Sequence, residues 1–161
     1  VEACLERADA HVQIGGLRRN QHLQVVVLRQ GGQVPGIGGF DAAVVREQLE
    51  RLFADPRLGA GWIAEVNGKP AGYLLAVYVF SLEHLGLTAE IDEFFVLPSC
   101  RGRGAGSQLL QAAETEFARM KCTNVSLQLG RGNDAAREFY RRHGYSDRAG
   151  FELLDKMLDL R

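Results

Sequence analysis

The chain has 161 residues and a formal net charge of −1, with 46% hydrophobic and 24% charged residues. That balance fits one soluble globular unit with a sizeable core, and it gives no electrostatic case for nucleic acid or a membrane surface as a partner. The longest apolar runs, Leu23 to Leu28 and Ala71 to Phe80, are far too short to cross a bilayer.

The first residues carry Glu2, Glu6 and Asp9 and show no basic-then-apolar leader pattern, so a cytoplasmic location is expected. Cys4, Cys100 and Cys122 have no metal-ligand spacing; they are expected as free thiols, and no metal site is expected. Leu23 to Leu28 reads as a buried strand, and the run from Gly31 to Gly39 as a flexible segment. Asp41 to Phe53 reads as a helix capped by Asp41, with Val45, Leu49, Leu52 and Phe53 on one face. Asp55-Pro56 ends it. Gly61 to Val66 and Ala71 to Phe80, joined through Asn67-Gly68, form the clearest hairpin signal. A strand follows over Thr88 to Leu97, closed by Pro98. Gly104 to Met120 repeats Leu109, Leu110, Ala113, Phe117 and Met120 at helical spacing. Asn124 to Leu129 alternates as a strand, and Asn133 caps a helix to about Arg142, which Gly144 terminates. Tyr145 to Leu160 is expected to return as one or two strands. Antiparallel strands followed by a strand–helix–strand crossover predict an α/β (α+β) fold: a mixed, mostly antiparallel central sheet flanked by helices, in a single domain over 1–161.

The stretch Arg101-Gly-Arg-Gly-Ala-Gly106 lies between a strand and a helix. Glycines at alternate positions let the backbone approach a ligand closely. The helix behind them aims its N-terminal amides and dipole into the loop, and Arg101 and Arg103 add positive charge. This composition suits a polyphosphate. No Lys follows Gly106, so the P-loop pattern fails. The glycine spacing and the late position in the chain do not fit a dinucleotide-binding turn. The pyrophosphate of coenzyme A remains.

Two motifs then carry a resemblance. The run Val96-Leu-Pro-Ser-Cys-Arg-Gly-Arg-Gly-Ala-Gly-Ser-Gln-Leu-Leu110 resembles the acetyl-CoA loop of the Gcn5-related N-acetyltransferases (GNAT superfamily). Asn133-Asp-Ala-Ala-Arg-Glu-Phe-Tyr-Arg-Arg-His-Gly-Tyr145 resembles the second motif of that family, and Asn67 to Leu75 its central hairpin. The likeness covers residues 40–161; residues 1–39 depart from the family pattern.

The resemblance implies the GNAT acyl-CoA N-acyltransferase fold and an acetyl-CoA-dependent N-acetyltransferase. Its acceptor would be a small primary amine, nearest in kind to the polyamine and aminoalkylphosphonate enzymes. A protein or peptide acetyltransferase and a non-catalytic acyl-CoA-binding domain are the alternatives. Dimers are common in the family, so a homodimer is an expected assembly. By the resemblance, Arg101, Gly102, Arg103, Gly104, Ala105, Gly106 and Ser107 hold the pyrophosphate. Phe94, Phe95 and Val96 pair their main chain with the pantetheine arm beside a bulge, and Asn133 contacts the coenzyme. Tyr140 protonates the departing thiolate. The strand acids supply the general base, Glu90 first and Asp92 second. Strict alternation puts Glu90 and Asp92 on one face and Glu93 on the other until a bulge intervenes. Glu83 and Glu93 join them as a negative wall for a cationic acceptor. Gln128 stands where some ribosomal-protein acetyltransferases carry a glutamate base, a role glutamine cannot fill.

Overall fold

The computed structural model describes residues 12–17 and 42–158. The strand expected over Leu23 to Leu28, the glycine-rich run to Gly39 and the cap at Asp41 lie outside them. The chain divides into two compact units, one up to Gln128 and one from Leu129 onward.

Among the described residues, the first unit holds a five-stranded sheet in the order β1-β2-β3-β4-β5 and two α-helices. The strands are β1 (Val12–Leu17), β2 (Gly59–Val66), β3 (Lys69–Ser81), β4 (Gly86–Val96) and β5 (Asn124–Leu127); the helices are α1 (Ala42–Ala54) and α2 (Ala105–Arg119). The first four strands pair antiparallel, and β5 joins β4 in parallel. The mixed sheet expected from the element order is therefore present. Its local turn chemistry explains the best-read part: Asn67 (φ 53°) and Gly68 (φ 70°) both sit in the left-handed region, which a two-residue hairpin turn requires. Strand β1 was not foreseen. Two glycines dilute its pattern, and its residues Val12 to Leu17 are identified only by their pairing with Val66 to Gly61 of β2.

Each face of the sheet carries its own core. Trp62 lies opposite Leu74 in the register, and Phe117 of α2 meets the Trp62 ring edge-on at 5.5 Å. Leu109, Leu110 and Ala113 complete the buried stripe of that helix. On the other face, Ile63, Tyr73 and Leu75 pack with Leu49 of α1, flanked by Val45, Leu52, Phe53 and Phe95. Gly72 is needed at the join between these layers, because a Cβ there would lie 2.6 Å from the Phe95 carbonyl oxygen.

In the second unit, α3 (Asp134–Arg142) begins at Asn133, whose side chain accepts a hydrogen bond from the Ala136 amide at 3.3 Å. Gly144 (φ 87°) ends it in the left-handed conformation expected. The strands expected over Tyr145 to Leu160 are absent from the described residues of that stretch. Asp147 is clasped by Arg137 and Arg141, and Gly150 adopts φ 83°, so the chain folds back on α3 instead of running straight. Leu153, Leu154 and Met157 are left exposed. No helix among the described residues is long and apolar enough to cross a membrane.

Candidate functional site

The register of β3 against β4 slips between Leu75 and Ala76. Leu75 faces Glu93 and Ala76 faces Ile91, so Asp92 is an extra residue in β4, a β-bulge. The parallel pairing of β4 with β5 stops at the same place: Ile91 with Leu127 is its last pair. Beyond the bulge, Glu93 to Val96 pairs with β3 and is no longer in register with β5. The bulge thus opens a split on one side of β4.

The same slip rearranges the acids. Without it, Glu90 and Glu93 would fall on opposite faces. With it, they face Val77 and Leu75, two residues apart on β3, and share a face, the one covered by α1. Glu90 accepts a hydrogen bond at Oε1 from Gln128 Nε2 at 3.2 Å. Glu93 accepts one at Oε2 from the Tyr73 hydroxyl at 2.7 Å. Asp92 keeps contact with solvent, yet the protein around it strips part of its hydration, and Glu90 repels its charge; both raise its pKa, desolvation more. The Tyr73 hydroxyl is held protonated by burial first, then by the charges of Glu93 and Asp92. Glu83 stands away from this group, exposed in the turn Leu82–Leu85. The four residue steps of strand from Gly86 to Glu90 put it more than about 13 Å along the sheet.

Tyr73 was missed by sequence reading. A tyrosine in an apolar strand reads as core, and its partner is twenty residues away on the next strand. The usable signal was the single hydroxyl within Ala71 to Val77, since a buried hydroxyl seeks a partner.

The glycine segment forms a turn over 101–104 that leads straight into α2. Gly102 (φ 71°) and Gly104 (φ 86°) take left-handed conformations, and a Cβ at Gly102 would meet nothing within 4 Å. The first helical bond of α2 runs from the Gln108 amide to the Gly104 carbonyl at 3.0 Å, so the amides of Ala105 and Gly106 point out of the helix end. That donor set fits an anion of the pyrophosphate kind. Arg101 has partners on β4. Its Nε donates to the Val96 carbonyl at 2.8 Å, and its guanidinium lies 5.8 Å from the Phe95 ring centre. It covers the end of β4 beside the split, while Arg103 stays in the turn.

In the second unit, Tyr140 is half-buried on α3, with its ring 5.3 Å from Phe139 and 5.4 Å from Tyr145. Desolvation pushes its pKa up to about 12, so it carries its proton throughout the neutral range. The Asn133 side chain is engaged at the start of the same helix. Among the described residues, no cluster of His, Cys, Asp or Glu has the makings of a metal site.

Residues 28–145 match the Acetyltransferase (GNAT) family. A stretch of 81 residues is 40% identical to the aminoalkylphosphonate N-acetyltransferase of Salmonella typhimurium, covering 49% of this chain and 51% of that protein. Another, of 90 residues, is 38% identical to an uncharacterised N-acetyltransferase of Methanocaldococcus jannaschii, covering 54% of this chain and 39% of that protein. The chain spans about half the length of the curated relatives it matches. The solved structure of an aminoglycoside N-acetyltransferase in complex with CoA shares the fold, with a TM-score of 0.77 at 18% identity over 93% of this chain and 97% of that one.

Proposed function

The chain belongs to the acetyltransferase (GNAT) family, and from that premise we propose that it transfers an acetyl group from acetyl-CoA to a primary amine of a small cationic molecule, by direct attack in a ternary complex. The observation that carries the reading is the bulge at Asp92, which coincides with the end of the β4–β5 pairing and brings Glu90 and Glu93 to one face, with Asp92 within electrostatic reach of Glu90. Named relatives in the aminoalkylphosphonate and aminoglycoside classes support a small-molecule amine.

Acetyl-CoA supplies the activated thioester. The turn from Arg101 to Ser107 binds its phosphates through main-chain amides, with Arg103 adding charge. The edge of β4 over Phe94 to Val96, on the side away from β3, orients the pantetheine arm as an added strand would be oriented. Arg101 must release the Val96 carbonyl for that pairing to extend to the end of β4. A backbone amide near Val96 stabilises the oxyanion. Asn133 contacts the coenzyme from the start of its helix.

The acceptor arrives as an ammonium with a pKa of about 10 and must lose a proton before it attacks. We assign that proton to Asp92. Glu90 is engaged by Gln128 and Glu93 by Tyr73, whereas Asp92 has the raised proton affinity a base requires. Glu90 and Glu93 hold the acceptor's positive charge beside it. Tyr140, protonated at neutral pH, donates to the departing thiolate. The same three carboxylates disfavour an acceptor with an anionic phosphonate next to its amine.

A thiol-release assay with acetyl-CoA against spermidine, kanamycin, 2-aminoethylphosphonate and a lysine peptide tests the reading. The polycations should be turned over at least about tenfold more efficiently than the phosphonate, as expected for one charge pair made or broken in a partly shielded site. Preference for the peptide would move the protein to the protein-modifying class, and release with none of them would end the proposal.

A further inference from the structure

Tyr73 has no part in the chemistry above, yet it is only 2% exposed and spends its hydroxyl on a carboxylate of the site. Its ring is fixed by Leu49, Ile63 and Leu75 and by Phe95, whose ring centre lies 6.0 Å away. A phenol so packed has one place to put its hydroxyl. The contact is short, 2.7 Å, and goes to a single oxygen, Oε2 of Glu93. One carboxylate oxygen is thereby pinned, and the direction of the other is set. Tyr73 faces Phe95 in the register, and Glu93, two residues earlier on β4, is its diagonal neighbour on the same face; the bulge that follows then brings Glu90 to that face as well.

We propose that Tyr73 is a positioning residue for acceptor binding, acting through Glu93. It holds Glu93 Oε2 so that Oε1 is aimed to receive the cationic group of the amine, beside the base Asp92. This rests on the assignment of Glu93 to acceptor binding. Among the described residues, the charges around Glu93 are few. Glu90 and Asp92 share its strand, and Arg101 lies over Phe95. Helix α1 packs here through apolar side chains, with Arg46, Glu47, Glu50 and Arg51 exposed. Within this patch Tyr73 is the hydrogen-bond donor that fixes Glu93 in place.

The test is a double-mutant cycle on spermidine binding, measured by calorimetry with coenzyme A present, using Tyr73→Phe, Glu93→Gln and the pair. Tyr73→Phe keeps the ring and its packing. It should weaken spermidine binding about tenfold, the range expected for a hydrogen bond to a charged group. Glu93→Gln should weaken it at least as much, and the double variant no more than Glu93→Gln alone. Affinity for acetyl-CoA should be the same in all four proteins. Wild-type affinity in Tyr73→Phe, or losses that multiply in the double variant, would overturn the proposal, as would a wild-type protein that binds no spermidine. A wild-type protein that binds spermidine but releases no thiol would overturn acetyl transfer instead, and the binding cycle would still decide the role of Tyr73.

Discussion

Replacing Asp92 by Asn is expected to lower kcat with spermidine at pH 7 by about a hundredfold or more, the range for losing a positioned general base. The variant has no group to take the ammonium proton, so only the free amine reacts. At pH 7 that is roughly one molecule in a thousand for a pKa of about 10. Its rate should therefore climb about tenfold per pH unit through the alkaline range. Wild-type protein should show a plateau there. Its rate should fall only as acid protonates Asp92, above the usual carboxylate range because desolvation and Glu90 raise its pKa. Glu90→Gln should cost less, since the amide of Gln128 already occupies one Glu90 oxygen. The substitution carries a stability signature as well. A carboxyl whose pKa is raised by folding destabilises the folded state once it ionises, and has no such effect below the unfolded pKa of about 3.9. Asp92→Asn should thus raise Tm at pH 7, with the gain vanishing near pH 3. A flat pH–rate profile for the variant would move the base elsewhere.

Tyr140→Phe should reduce kcat by about a hundredfold while changing the KM for acetyl-CoA less than twofold. The ring contacts with Phe139 and Tyr145 survive the change, so the lost element is the hydroxyl alone. A phenol with a pKa near 12 is a weak acid, but it is never without its proton at the working pH. That suits a group that must donate to sulfur as negative charge builds there. Unchanged turnover would remove Tyr140 from the reaction. A rise in the KM for acetyl-CoA with kcat intact would make it a binding residue.

How far the sequence could be read depended on how local each signal was. Asn67-Gly68 specifies its own turn, and the stripe from Leu109 to Phe117 specifies its own helix, so both were legible. The strand Val12 to Leu17 was not, because its glycines hide the alternation and its order comes from β2, some fifty residues on. The bulge was expected through the family likeness, but no residue type marks Asp92 as the inserted one. The slip is a property of two strands in register, and alternation read along one strand leaves Glu93 facing away from Glu90. Tyr73 followed from the same blindness, since its partner is known only once β3 and β4 are aligned. Arg101 was read as a phosphate contact from its place in the motif, whereas its hydrogen bond to the Val96 carbonyl depends on where the backbone of β4 ends. One or two closing strands were expected over Tyr145 to Leu160, but Phe151 to Leu158 has no partner strand among the described residues.

The claim beneath all of this is that main-chain amides at the start of α2, beside the split in β4, grip acetyl-CoA. Titrating isotope-labelled protein with acetyl-CoA and following its backbone amide resonances measures that directly. The largest shifts should fall on residues 102–107 and 94–96, in step with a single saturating isotherm. Saturable binding that leaves those amides unmoved, or no binding at all, would contradict the account.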